Sequence, residues 1–146
     1  MSRDYSSTPL PKKLGLTEGV RVSLVDAPKG FSAIVGVERN ARGPADVIVL
    51  FTTKRAELER RFRPLAERLE PAGGLWVAWP KKSAKVATDL SFEEVQRVGL
   101  EAGLVDNKSC AIDDTWQALR FVIRRKDRPA LAGARRSPAP SARPRA

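Results

Sequence analysis

Residues 47–79 read VIVLFTTKRAELERRFRPLAERLEPAGGLWVAW, and this stretch decides the fold. Its first five residues are apolar on both faces, which predicts a strand covered from both sides. A helix is predicted from about Thr53, whose hydroxyl can cap it, to Leu69, because four apolar residues share one helical face: Leu58, Phe62, Leu65 and Leu69. Residues 71–74 should end the helix, and residues 75–79 form the next strand. Such a connection implies two parallel strands with a right-handed crossover.

Further elements lie on both sides of this unit. Apolar and polar residues alternate over residues 20–25, which predicts a strand, whereas residues 31–37 fit either a short helix or a strand. A capping box at Ser91–Glu94 begins a helix that runs to about Ala102, before Gly103. Residues 108–112 and 119–124 predict an antiparallel hairpin. The fold class is therefore α/β, a small three-layer Rossmann-like sheet that is mostly parallel with an antiparallel C-terminal hairpin.

The chain divides into three segments by composition. Residues 1–13 are predicted to be an extended arm, because Pro9 and Pro11 disfavour helix. Residues 14–126 form one α/β domain. Residues 127–146 hold five Arg and one Asp among Pro, Ala and Ser, and predict a disordered basic tail.

Composition limits the chemistry. The chain of 146 residues has no His, which excludes catalytic triads and metal sites that need imidazole, and one cysteine, Cys110, which excludes an internal disulfide and a thiolate zinc site. The net charge of +10 favours contact with polyanions without sequence specificity. No stretch is apolar for long enough to cross a membrane. We expect a cytoplasmic protein without a metal.

The carboxyl ends of parallel strands are where ligands bind in such sheets. Lysines beside helix N-termini there favour a small anion. The candidate residues follow the three predicted parallel strands in turn: Asp26, Lys29 and Gly30; Thr52 and Thr53; Lys81 and Lys82. Lys81 and Lys82 could equally be ordinary solvated loop residues.

The hairpin supplies the remaining candidates. Asp113 or Asp114 could act as a general base or pair with Lys82, or could simply be turn residues. Trp79 and Trp116 are candidates for stacking on a ligand. Trp76 and Trp79 should point to opposite faces of their strand, so at most one of them can line a site. Cys110 is expected to be inert and buried.

Two resemblances rest on these motifs. Residues 69–77, LEPAGGLWV, resemble the L-x-P-G-G-x-L turn and fifth strand of class I S-adenosylmethionine-dependent methyltransferases. Residues 46–51 are similar to the fourth strand of that fold, and residues 108–124 to its closing hairpin. The resemblance spans roughly residues 19–125 and implies S-adenosylmethionine as the cofactor.

Residues 5–126 also resemble a bacterial family classed as a domain of unknown function, family thirty fifty-two. The motifs that carry this resemblance are residues 5–10, 12–15, 55–58, 75–82, 87–90 and 113–116. This resemblance implies ancestry and no particular activity.

The chain departs from the methyltransferase pattern in its cofactor loop. Residues 25–30 contain a single glycine and a proline where spaced glycines are needed, and only residues 26–45 separate the first and fourth strands of that pattern. We therefore expect no cofactor, with S-adenosylmethionine as the alternative.

Three functions follow from these observations. The first is a degenerate methyltransferase-like binding or regulatory module, with a small anion or a protein as its partner. The second is a small enzyme that uses Lys82 with Asp113 or Asp114, and the third is a weak, salt-sensitive nucleic-acid binder. A sheet edge left exposed by the missing strands would favour a homodimer.

Overall fold

The computed structural model describes residues 8–128. The N-terminal seven residues and the segment predicted to be a tail from residue 129 onward lie outside the described residues. The elements in chain order are α1 (Leu10–Leu14), β1 (Val22–Val25), α2 (Phe31–Val35), β2 (Ala45–Phe51), α3 (Arg55–Ala66), β3 (Leu69–Pro80), α4 (Phe92–Glu101), β4 (Leu104–Ala111) and β5 (Trp116–Ile123). Two short 3₁₀ turns, Lys82–Ala84 and Arg125–Asp127, follow β3 and β5.

The five strands form one sheet in the order β1-β2-β3-β5-β4. β1 pairs with β2, and β2 with β3, in parallel, whereas β5 is antiparallel to both of its neighbours, β3 and β4. The predicted mostly parallel sheet with an antiparallel C-terminal hairpin is confirmed. Since β5 alone runs against the others, the carboxyl ends of β1, β2 and β3 meet at one edge.

Helices cover both faces of the sheet, which gives the predicted three layers. On one face, Leu58 and Phe62 of α3 and Val95 of α4 pack on the sheet in one hydrophobic cluster. On the other face, Leu14 of α1 and Phe31 of α2 belong to a second cluster. The residues of β2 alternate between the two clusters, which explains why the strand is apolar throughout. Trp76 and Trp79 lie in opposite clusters, as predicted from their spacing.

The extended arm predicted for residues 1–13 is wrong over residues 10–13. Pro11 lies in the first turn of α1, where a helix does not use the backbone N–H that proline lacks. Leu14 is buried, and its carbonyl oxygen accepts a 3.0 Å hydrogen bond from the Trp76 indole. The domain therefore begins at α1 or earlier.

Strand β3 starts six residues earlier than predicted, because the two glycines do not stop it. A Cβ on Gly73 would lie 2.6 Å from the Asp46 carbonyl oxygen, and one on Gly74 would overlap the guanidinium of Arg120, with Cζ 2.7 Å away. Glycine is needed at position 73 because the Asp46 backbone approaches closely, whereas at Gly74 the neighbour is the end of a flexible arginine side chain. The P-A-G-G segment is a continuous part of the strand.

The outer edge of β1 is largely covered. The Asn40 side chain accepts from the Leu24 amide (3.0 Å) and donates to the Leu24 carbonyl (3.2 Å), and the Ala41 amide donates to the Val22 carbonyl (2.7 Å). These contacts replace the ladder of a further strand. The exposed edge expected at this side is therefore wrong, and the homodimer stays a prediction without that edge as its support.

Within residues 8–128, no helix has the length and apolar character needed to span a membrane.

Candidate functional site

The residues predicted at the carboxyl ends of β1, β2 and β3 do lie at one edge of the sheet, since these strands are parallel neighbours. The structure nevertheless divides them into two regions. Asp26, Lys29, Gly30, Thr52 and Thr53 follow β1 and β2, whereas Trp79, Lys81 and Lys82 end or follow β3.

In the region after β1 and β2, contacts within the chain occupy the predicted ligand-binding groups, and we call this edge closed in that sense. The Asp26 carboxylate forms an ion pair with Arg61 of α3. Thr52 is buried, and its hydroxyl accepts from the Lys54 amide at 3.3 Å. Gly30 is the N-cap of α2 with a φ of 85°, and Lys29 before it is exposed. The carboxylate and hydroxyl that a ligand would use here already have partners.

The segment between β3 and α4 completes this closure. The Thr88 hydroxyl donates to the Thr53 carbonyl oxygen at 2.6 Å, and the Asp89 carboxylate accepts from the Arg55 amide at 2.7 Å. Asp89 therefore caps the start of α3, and the cap predicted from the Thr53 hydroxyl is wrong. This bond joins two of the sequence motifs, residues 55–58 and residues 87–90, at the edge of the sheet. Its two residues are 34 positions apart in the sequence.

S-adenosylmethionine does not fit the residues at this edge. Its sulfonium and ammonium groups are positive and call for a free carboxylate, but Asp26 is paired with Arg61 and Lys29 adds a positive charge. The charges at this edge therefore do not match those of the cofactor. The expectation that no cofactor binds stays a prediction.

The region after β3 is open and forms a groove of about 1050 Å³. We call it the strand-end groove. Its floor contains Trp79, Leu90 and Ala118, all buried. Val86 and Phe92 line it while each keeps 42% of its surface exposed, and Lys81 and Lys82 add two cations. The groove combines apolar surface with the positive charge of Lys81 and Lys82, and Glu93 adds one carboxylate to its lining.

Backbone contacts fix the shape of this groove. The Lys81 amide donates to the Thr115 carbonyl oxygen at 2.8 Å, which joins the end of β3 to the hairpin turn. Lys82 and Asp114 therefore lie on neighbouring loops at the same end of the sheet. The Ser91 hydroxyl accepts from the Glu94 amide, so half of the predicted capping box is present; Glu94 instead binds Arg97.

Two of the candidate residues in the hairpin stabilise the fold: Asp113 in the turn and Trp116 in the core packing. Asp113 accepts from the amides of Thr115 (2.9 Å) and Trp116 (2.8 Å), which is the turn role that the sequence left open. Asp114 is exposed. Trp116 packs edge-on against Phe51 with ring centroids 5.1 Å apart, in the cluster on the face opposite Trp79. Of the two tryptophans predicted as ligand platforms, Trp79 alone lines the strand-end groove.

Cys110 also lines the groove and is half-buried. Burial raises the pKa of its thiol, and the positive charges of Lys13 and Lys108 oppose part of that rise. A thiol of this kind is a weak nucleophile at neutral pH. Across residues 8–128, no group of three His, Cys, Asp or Glu side chains could hold a metal ion.

Comparisons with known proteins address the fold. No family model matches the sequence, and no curated protein matches it. Membership in the family of unknown function therefore stays a prediction. An O-methyltransferase of neocarzinostatin biosynthesis, solved with S-adenosylmethionine and 2-hydroxy-5-methyl naphthoic acid, is similar with a TM-score of 0.50 and 13% identity, over 70% of this chain and 41% of that chain.

Two further structures are similar to this chain at lower TM-scores. Magnesium protoporphyrin IX methyltransferase from Synechocystis PCC 6803 has a TM-score of 0.45 and 12% identity, over 57% of this chain and 41% of its own. A B. subtilis tRNA methyltransferase has a TM-score of 0.49 and 8% identity, over 87% and 68%. This chain spans less than half of the length of the first two. It has a truncated, Rossmann-like class I methyltransferase fold.

Proposed function

We propose that the chain is a binding module built on a truncated methyltransferase fold, which binds a small anion with an apolar body and does not transfer a methyl group itself. One contrast carries the proposal. The edge after β1 and β2 is closed by Asp26–Arg61 and Thr88–Thr53, whereas the strand-end groove after β3 is open. Cytoplasmic location stays a prediction from the sequence.

The chemistry of the groove supports this class of ligand. Phe92 and Val86 are among the few large apolar side chains with more than a third of their surface exposed, and both line the groove. An apolar ligand body would remove them from water, which stabilises a complex by about 25 cal/mol per Å² of apolar surface buried. Lys81 and Lys82 would bind the anionic end of the ligand.

Asp113 does not serve as a free base in this proposal, because its carboxylate already accepts two backbone amides. Cys110 does not serve as a nucleophile, because burial raises its pKa. What supports a binding role is that the groove places two lysines beside exposed apolar side chains.

The test uses 1-naphthyl phosphate as the probe, titrated into the full chain by calorimetry, with uncharged 1-naphthol as the comparison ligand. We expect Lys82→Gln to weaken binding of the phosphate at least fivefold and to leave 1-naphthol unchanged. Lys54→Gln is the matched control, since Lys54 is exposed and absent from the groove lining. Equal affinities of the wild type, Lys82→Gln and Lys54→Gln for the phosphate would refute the proposal.

A further inference from the structure

The charges of the protein are distributed unevenly between its two faces. In the layer of α3 and α4, arginines are neutralised by glutamates: Arg97 bonds Glu94 (2.8 Å), Glu59 (3.0 Å) and Glu101 (2.9 Å). Arg60 likewise pairs with Glu57 (3.1 Å). This layer therefore carries little uncompensated charge.

The hairpin and the turn after it differ. We call six residues there the hairpin basic face: Lys108, Arg120, Arg124, Arg125, Lys126 and Arg128. Within the part of the chain that the structure describes, none of the six forms an ion pair. The net charge of +10 thus has a local concentration at this end of the sheet.

Arg120 is the centre of this face. It is paired in register with Trp76 on one side and with Lys108 on the other, so Lys108 and Arg120 share a sheet face as directly opposed like charges. Such a pair destabilises a sheet. The Arg120 guanidinium lies across Gly74, and a Cβ at residue 74 would overlap it. The guanidinium donates a hydrogen bond to the side-chain oxygen of Asn107 at 3.4 Å.

The surroundings of Arg120 destabilise the charged form of its guanidinium. Burial lowers the pKa of its guanidinium, and the positive charge of Arg128 lowers it further. Arg128 itself is held nearby through its 3.0 Å bond to the Ile123 carbonyl. Among residues 8–128, Arg120 has two cationic neighbours and no ion pair with a carboxylate. A half-buried charge in this state is costly, and a bound anion would remove that cost.

We propose that the hairpin basic face binds the phosphodiester backbone of a nucleic acid. The cations are too widely spread for one phosphate, because the chain advances about 13 Å between Arg120 and Arg124 at the rise of an extended strand. A nucleic-acid backbone presents repeated negative charges over such a length. The face lies apart from the strand-end groove, since none of its six residues lines that groove. It is therefore independent of the function proposed above.

The experiment measures binding of a fluorescein-labelled 20-nucleotide single-stranded RNA, and of DNA of the same sequence, to the full chain by fluorescence anisotropy from 25 to 150 mM KCl. The test variant is Lys108→Gln/Arg120→Gln/Arg128→Gln. The matched control, Lys54→Gln/Arg55→Gln/Arg60→Gln, removes the same charge from α3 and the residue before it. We expect the test variant to bind at least tenfold more weakly at 50 mM KCl, with the slope of log K against log salt reduced by about 2 to 3.

Folding of each variant is checked by circular dichroism. If the test variant does not fold, Lys108→Gln/Arg125→Gln/Lys126→Gln, which changes exposed residues alone, replaces it with the same expectation. Equal loss in the test and control variants would overturn the proposal, as would no measurable binding of the wild type at 25 mM KCl. Competition by poly-glutamate at the same charge concentration as effectively as by unlabelled oligonucleotide would also overturn it, because the face would then recognise charge alone.

Discussion

Replacing Gly99 by alanine tests how closely α4 packs on the sheet beside the strand-end groove. A Cβ at this position would overlap the ring of Phe121, with the ring Cζ 2.7 Å away. Phe121 is fully buried and packs edge-on against Phe62 at 5.2 Å, so its ring has little room to move. The helix must therefore shift away from β5.

The two opposing contributions can be compared. Overpacking of a core costs about 1 to 3 kcal/mol, while alanine is favoured over glycine inside a helix by about 1 kcal/mol. Because the Phe121 ring has little room to move, we take about 2 to 3 kcal/mol for the overpacking and expect a net loss of about 1 to 2 kcal/mol in the free energy of unfolding, measured by urea denaturation. At roughly 3 to 6 °C per kcal/mol for a domain of this size, the melting temperature should fall by roughly 3 to 12 °C.

Gly43→Ala is the matched control, because a Cβ at Gly43 meets no atom within 4 Å and its φ is not in the left-handed region. It should be neutral or stabilising by up to about 1 kcal/mol. Truncating the ring in Phe121→Leu should relieve the clash, so the Gly99→Ala/Phe121→Leu double variant should show a coupling energy of at least about 1 kcal/mol. If Gly99→Ala is as stable as Gly43→Ala, the packing described here is wrong.

Two further predictions concern the closed edge and the groove. Asp89→Ala removes the cap from the Arg55 amide and should destabilise the protein by about 1 kcal/mol in urea denaturation, whereas Asp114→Ala, at an exposed turn, should change stability by less than about 0.5 kcal/mol; equal effects would refute the cap. Because burial raises the pKa of Cys110, its thiol should react with Ellman's reagent at pH 8 at least tenfold more slowly in the folded than in the unfolded chain. The neutral thiol of Cys110 therefore contributes to the stability of the fold below the ordinary thiol pKa of about 8.5, and this contribution is lost as the pH rises through the higher pKa of the folded state. A free energy of unfolding that rose over this pH range would contradict the raised pKa.

The sheet could be predicted because its strands carry a local signal. Val47 to Phe51 are apolar on both faces, and that pattern has few alternatives in a chain with helices between strands. The boundary between α3 and β3 could not be predicted, because Leu69 fits the helical spacing and also begins the strand. Gly73 and Gly74 resembled a stop but lie within β3, where Gly73 is in close contact with the backbone of Asp46, distant in sequence.

The sequence predicted the candidate site at the correct edge of the sheet, but it did not predict that the site is divided into two regions. The rule about carboxyl ends of strands brought Asp26, Thr52 and Lys82 together, and parallel pairing places them there. The Asp26–Arg61 ion pair and the Asp89 cap join residues more than 30 positions apart, and no periodicity reveals such contacts.

We propose that this methyltransferase-like fold binds a ligand other than S-adenosylmethionine. The most direct measurement is the melting temperature of the full chain with and without S-adenosylhomocysteine at 1 mM, with 1-naphthyl phosphate in a parallel series. We predict no change with S-adenosylhomocysteine and a rise with the phosphate. A rise of several degrees with S-adenosylhomocysteine, the effect of a ligand at about a hundred times its dissociation constant, would contradict the account and show that the edge after β1 and β2 opens to admit the cofactor.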